Sequence, residues 1–159
     1  MHIDFTLNEN PVSLDVPADR RVVQVLREDL GLTSVKECCG LGECGGCTIL
    51  VDGQSRLSCL MLAAQLQGRR VLTVEGLSSS GKLPPLQGAF VRHGAVQCGY
   101  CTPGMVLAAY DLLQRNPHPK RQDIRAGLAG NICRCTGYQK IVDAVEAACT
   151  TDKDCGRGY

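Results

Sequence analysis

Gln97-Cys98-Gly99-Tyr100-Cys101-Thr102-Pro103-Gly104 and Asn131-Ile132-Cys133-Arg134-Cys135-Thr136-Gly137 bracket the stretch on which the fold and function of this chain turn. One end carries its cysteines as C-x2-C and the other as C-x1-C, and the 31 residues between them have helical periodicity. For the two ends to act together, the helices between them must double back. Four sulfurs delivered as two close pairs are what a tetrahedral metal or an iron–sulfur site requires.

A second set lies upstream at Cys39, Cys44, Cys47 and Cys59, spaced C-x4-C-x2-C-x11-C. The C-x4-C-x2-C run with a later fourth cysteine is the ligand spacing of plant-type [2Fe–2S] sites. Four glycines in residues 38–47 make poor helix and poor strand. This segment is therefore expected to be a loop that presses close to a cluster and points amide N–H groups at its sulfurs. Zinc, a disulfide framework and buried thiols are the other readings. Zinc favours two C-x2-C knuckles or a Cys/His mixture; neither set offers two knuckles, and His2, His93 and His118 stand at none of the expected offsets. Iron–sulfur chemistry is preferred for both sets, with zinc the alternative, most of all for the second. Cys38 adjoins Cys39, but only Cys39 has the x4 spacing to Cys44. Cys149 falls on the apolar side of the last helix as a buried thiol, and Cys155 in the tail as a free one. Arg134, between two predicted ligands, either raises the potential of a net-negative cluster or simply faces solvent.

Seventeen Lys and Arg against 16 Asp and Glu leave a formal charge of +1 over 159 residues. Nothing therefore marks the chain for nucleic acid or an anionic membrane. No apolar run approaches the 18 or so residues of a membrane span. Met1-His2-Ile3-Asp4-Phe5 lacks the basic flank and apolar centre of a secretory signal, so a cytoplasmic location is expected. Eleven cysteines in that compartment point to metal or redox chemistry more than to disulfides. Two halves of roughly 80 residues are each marginal alone, and metal cross-links are a common remedy at that size. No Ser/His/Asp or Cys/His arrangement, paired-carboxylate motif or Gly-x-Gly-x-x-Gly after a strand is present, and no catalytic residue is assigned.

Ile3, Phe5 and Leu7 alternate with polar residues, as do Val12, Leu14 and Val16, with turn chemistry at Asn8-Glu9-Asn10-Pro11: a β-hairpin. Val22, Val25, Leu26 and Leu30 form a helical face that Gly31 ends. Thr48–Val51 reads as a buried strand, Asp52-Gly53 as a hairpin turn, and 55–58 as the return that carries Cys59 back to the loop. A short helical turn at 60–64 and a last strand at 71–74 complete this half. Residues 76–85 have linker composition. Beyond them Leu86, Ala89 and Phe90 mark one helix, and Thr102 as N-cap with Pro103 at the first helical position opens a second, carrying Met105, Ala109 and Leu112. Ile124 and Leu128 mark a third, and Ile141, Val142, Val145 and Ala148 a fourth. The expected class is α+β: residues 1–76 an α+β domain, 77–83 a linker, 84–150 an all-α domain packed as a four-helix bundle, and 151–159 a polar tail.

Leu32-Thr33-Ser34-Val35-Lys36, Gly42-Glu43-Cys44-Gly45-Gly46-Cys47-Thr48, Gln97-Cys98-Gly99-Tyr100-Cys101-Thr102-Pro103-Gly104-Met105 and Gly130-Asn131-Ile132-Cys133-Arg134-Cys135-Thr136-Gly137-Tyr138 together resemble one group. It is the small iron–sulfur subunit of the molybdenum hydroxylases, the xanthine dehydrogenase and aldehyde oxidase family, and the likeness covers roughly residues 3 to 147. The resemblance implies an N-terminal β-grasp, ferredoxin-like [2Fe–2S] domain followed by a four-helix [2Fe–2S] domain. It implies a large partner subunit with molybdopterin and a medium one with FAD, in a dimer of heterotrimers. By position, Cys98, Cys101, Cys133 and Cys135 would hold the cluster nearer molybdenum, and Cys39, Cys44, Cys47 and Cys59 the one nearer FAD. Gln97 would hydrogen-bond the pterin, and Cys135 would contact the pterin amine while ligating iron. The implied activity is electron relay from molybdenum to flavin, with purines or related N-heterocycles such as nicotinate as the favoured substrate class. A reductive member of the hydroxybenzoyl-CoA reductase type, or an aldehyde oxidoreductase, would use a similar subunit. Cys38 stands where the family usually has glycine, and Gly46 where alanine is common.

Overall fold

The structure is a computed structural model that describes residues 1–78 and 84–151. Most of the expected linker, and all of the tail past 151 with Cys155, lie outside the described residues.

β1 (His2–Leu7) and β2 (Asn10–Asp15) form the expected hairpin, with Ile3 opposite Leu14 and Phe5 opposite Val12. Asn8 and Glu9 both take positive φ, 50° and 68°, the two-residue turn whose twist matches the flanking strands. β3 (Thr48–Val51) and β4 (Gln54–Leu57) form a second hairpin, turning at Asp52 and Gly53 with φ of 50° and 79°. β5 (Arg70–Leu72) inserts between them, parallel to β1 and antiparallel to β3, in the order β2-β1-β5-β3-β4. One helix crosses this sheet. α1 (Val22–Gln24) runs into a wider π-turn over Val25–Asp29, where Leu30 N–H reaches back to the Val25 carbonyl at 3.1 Å. Gly31, at φ 70°, ends it as expected.

The strand expected over 71–74 stops at Leu72. Asn8 explains the break: its Oδ1 accepts the Thr73 N–H at 2.9 Å and its Nδ2 donates to Thr73 Oγ1 at 3.0 Å. Thr73 is thereby taken out of the ladder and opens the one-turn α2 (Val74–Leu77).

α3 (Pro85–Arg92), α4 (Thr102–Arg115), α5 (Arg121–Gly127) and α6 (Gln139–Thr151) follow. The start of α4 is shifted by one residue: Cys101 is the N-cap, and Thr102 is the first helical residue. The Thr102 N–H already bonds the Gly99 carbonyl at 3.3 Å, closing a turn before the helix begins, and no side-chain cap is made. α6 packs against α3 and α5, and α4 against α5. None of the described helices is long and apolar enough to cross a membrane.

Two cores result. One gathers Ile3, Phe5, Val22, Val25, Leu26, Ile49 and Leu66 between the sheet and α1; the other gathers Phe90, Met105, Leu113, Ile124, Leu128, Ile141 and Val145 among the helices. β3 is buried on both faces. Ile49 and Val51 belong to the first core while Leu50, pointing the opposite way, joins the second, against which α4 is laid.

Candidate metal centres

The glycine-rich run 38–47 is a loop, as its composition predicts, with Gly40, Gly42 and Gly45 all at positive φ. It leads Cys39 and Cys44 to half-buried positions and Cys47 to the mouth of β3. The β3–β4 hairpin returns the chain so that Ser58 N–H and Oγ both donate to the Cys47 carbonyl, at 3.2 and 2.8 Å. Cys59 therefore lies beside Cys47, both nearly buried. Loop amides aim at Cys39 and not at Cys38. The Leu41 N–H reaches Cys39 Sγ at 3.5 Å, and this bond, with the Cys44 and Glu43 amides, draws the Cys39 thiol down to about 6. Cys38 is pushed up instead, by Cys44 first. Burial pushes Cys47 up to about 11; the Cys59 amide opposes the shift and the Cys59 thiol adds to it.

In the helical half the doubling-back inferred from sequence is realised. α4 and α5 bring 131–136 against 98–101, with Cys135 Sγ 3.6 Å from Cys98 Sγ. Cys101 faces Cys133: burial pushes the Cys101 thiol up to about 12, and Cys133 reinforces the shift. Burial also pushes Cys133 upward, but the Thr136 hydroxyl at 3.0 Å and the Thr136 amide at 3.4 Å outweigh it and hold this thiol below its ordinary value. Among the described residues no three Cys, His, Asp or Glu side chains stand ready around a single ion. Each set instead presents two sulfur pairs, Cys39/Cys44 with Cys47/Cys59 and Cys98/Cys135 with Cys101/Cys133. Two irons that take two protein ligands each fit that donor set.

Three contacts between the cysteine loops lay beyond sequence reasoning. Ile132 N–H donates to the Cys44 carbonyl at 2.9 Å, one residue from Cys133. Asn131, 7% exposed, donates from Nδ2 to the Gly45 carbonyl at 3.0 Å and to Thr48 Oγ1 at 3.2 Å. Tyr100 Oη donates to the Glu37 carbonyl at 3.2 Å while Lys36 Nζ sits over its ring. Tyr138 was likewise missed as a positioning residue. Its hydroxyl accepts the Cys133 N–H at 2.8 Å and donates to the Asn131 carbonyl at 3.3 Å, from a backbone at φ 66°. The only signals for these residues were a polar side chain and an aromatic one beside predicted ligands.

The predicted pterin-contacting residues Gln97 and Cys135 are both exposed, as is Arg134. Cys149 is half-buried on α6 and donates to the Val145 carbonyl at 3.0 Å.

Sheet, helices and paired cysteines define a carrier of two iron–sulfur clusters. Residues 5–72 match the 2Fe-2S iron-sulfur cluster binding domain family, and residues 73–146 the [2Fe-2S] binding domain family. The chain is 48% identical to the nicotinate dehydrogenase small FeS subunit of Eubacterium barkeri, over 92% of this chain and 93% of that one. It is 48% identical to the xanthine dehydrogenase iron-sulfur-binding subunit of Escherichia coli O157:H7, over 90% and 91%. Its fold superposes on quinoline 2-oxidoreductase from Pseudomonas putida 86 with a TM-score of 0.91 at 46% identity, covering 94% of each chain. The chain belongs to the family of small [2Fe–2S] subunits of the molybdenum hydroxylases, and is an iron–sulfur subunit of an oxidoreductase.

Proposed function

We propose that this chain carries electrons between a molybdopterin site on a large partner subunit and FAD on a medium one. Cys98, Cys101, Cys133 and Cys135 would hold the molybdenum-side cluster, and Cys39, Cys44, Cys47 and Cys59 the flavin-side cluster. When bound, each [2Fe–2S] cluster supplies one-electron storage. The protein's own part is to hold the sulfurs and set their surroundings. Amides of Leu41 and Thr136 stabilise charge on Cys39 and Cys133; Tyr138 keeps the Cys133 amide engaged. Gln97 and Cys135, at the surface, would meet the pterin. Residues 1–76 and 84–150 act as two domains, the second a small four-helix bundle, joined through 77–83.

The observation that carries this reading is the Ile132–Cys44 hydrogen bond. It fastens the two ligand loops directly to each other, a short fixed connection of the kind a relay needs and a pair of independent structural metals does not. Purines or related N-heterocycles are the favoured substrate class, since the relatives above are named for nicotinate and xanthine and the solved neighbour for quinoline. The assembly would be a dimer of heterotrimers in the cytoplasm.

Cys135→Ser in the heteromeric enzyme tests the relay. The molybdenum-side signal in electron paramagnetic resonance should be lost or altered, the ferredoxin-like signal kept, and flavin reduction by substrate slowed severely. Flavin reduction at the wild-type rate with that signal gone would overturn the proposal. Colourless, zinc-containing protein would replace it with a zinc-stabilised scaffold.

A further inference from the structure

The two cysteine loops meet at a lysine as well as at Asn131 and Ile132. Lys36 lies three residues before Cys39, and its N–H donates to the Gly46 carbonyl at 3.1 Å, which ties it to the far side of the glycine-rich loop. A Cβ built on Gly46 would have Lys36 Cβ at 3.5 Å and Cys44 Sγ at 3.7 Å, so the lysine stem and that ligand sulfur flank one point. The stem then leaves the ferredoxin-like loop. Its ammonium donates to the Thr33 carbonyl at 2.8 Å and stands 5.7 Å from the centre of the Tyr100 ring, in the turn between Cys98 and Cys101. One side chain therefore starts beside the first centre and ends against the loop of the second.

That charge is fixed in place and uncompensated. A lysine ammonium normally roams on its flexible four-carbon stem; here a carbonyl and an aromatic face hold it. Arg27 donates to the same Thr33 carbonyl at 3.1 Å and to the Val35 carbonyl at 2.6 Å, which fastens the segment the ammonium leans on. Among the described residues Lys36 has no carboxylate partner, and Glu37, the next residue, is taken by Arg21. Tyr100 is itself held, its hydroxyl donating to the Glu37 carbonyl at 3.2 Å. An iron–sulfur cluster held by four thiolates is net negative and gains one more negative charge on reduction. A fixed cation nearby therefore favours the reduced form and raises the potential.

We propose that Lys36 is a tuning residue shared by the two centres: its ammonium, held by Thr33 and Tyr100 where the cysteine loops meet, raises the reduction potentials of both clusters together. The proposal rests on the reading that each cysteine set holds a [2Fe–2S] cluster, and adds a residue outside both ligand sets. Sharing matters to a relay. A cation acting on one centre alone would open a step in potential between the two. One that acts on both lifts each and keeps the passage between them shallow. Tyr100 is the positioning residue, since without its ring the ammonium is held from the Thr33 side only.

The test is a potentiometric titration of the heteromeric enzyme, with each cluster followed by its own electron paramagnetic resonance signal and iron content measured for every sample. Lys36→Met keeps most of the stem and removes the charge; it should shift both midpoints to lower potential, and Lys36→Arg should return both towards wild type. Lys120→Met removes an equal charge past the far end of α4, about 20 Å of helix from Cys101. Screening is strong at that range, and neither midpoint should move. Both signals present with both Lys36→Met midpoints at wild-type values overturns the proposal and leaves Lys36 a structural strap. A shift confined to one signal overturns it as well, because the charge is then not shared. Where Lys36→Met fails to load both clusters, Tyr100→Leu decides: the midpoint of the helical-half cluster should fall with its iron retained, and an unchanged midpoint overturns the proposal. Wild type lacking two [2Fe–2S] signals overturns the cluster reading instead.

Discussion

In the first half all four predicted ligands fall within residues 39–59, and Cys47 and Cys59 are sealed by that half's own core at 3% and 4% exposure. In the second half 31 residues of helix and turn separate Cys101 from Cys133, and Cys98 and Cys135 lie open at the surface. The first centre is thus largely enclosed by its own fold and the second is left to be enclosed by something else. The formal charges run the same way, −3 over residues 1–78 and +3 over residues 84–151, with the open centre in the cationic half. One chain therefore carries a self-contained site and an incomplete one, locked together at Asn131, Ile132 and Tyr100.

Breaking the lock should have the largest effect. A Cβ on Gly45, at φ 71°, would stand 2.4 Å from the Gly130 carbonyl oxygen and 2.6 Å from Asn131 Nδ2. Gly45→Ala should therefore cost about 3 kcal/mol or more, from left-handed backbone strain and overpacking together, seen as a lower denaturation midpoint and damage to both cluster signals. Gly137→Ala, at φ 63° with open space around it, should cost about 1 kcal/mol. Equal costs would show that the halves are not tightly joined.

Asn131→Ala comes next, at about 2 kcal/mol for a buried donor lost from two acceptors. Thr48 Oγ1 still donates to the Gly45 carbonyl at 2.7 Å and limits the damage. Tyr138→Phe separates the halves more finely. Leaving the Cys133 N–H without its acceptor should cost about 1 kcal/mol and perturb the signal of the helical half alone; a change in the ferredoxin-like signal would contradict the assignment of Tyr138.

The smallest effect belongs to Glu75. Partial burial pushes its carboxyl upward, but hydrogen bonds from Ser34 and Thr73 outweigh this and hold it below the ordinary carboxylate range. A depressed folded pKa means stabilisation that is complete above the ordinary glutamate value and is lost as pH falls through the folded one. Glu75→Gln should flatten that part of the acid profile, from the ordinary glutamate value downward, in denaturation midpoints measured against pH. An unchanged profile would remove Glu75 from the account.

Much of this was legible in the sequence because it is local. Alternation in 3–7 and 12–16, the glycines of the loop, the Asp52-Gly53 turn and the helical spacing from Leu86 onward each report on neighbours a few residues away. Cysteine spacing also carried the doubling-back of 98–135, since the sulfurs need one another. What escaped depends on residues far apart in the chain. β5 ends at Leu72 because Asn8 captures Thr73, and Leu50 belongs to the helical core because β3 is covered on both faces. Asn131 looked like an ordinary loop residue until Gly45, distant in sequence, appeared beside it.

The most direct test of the central claim is metal and sulfide analysis with electron paramagnetic resonance on the anaerobically prepared, dithionite-reduced heteromeric enzyme. Two [2Fe–2S] centres require about four irons per copy of this chain and two distinct signals. Zinc in place of iron, or a single signal with about two irons, would contradict it.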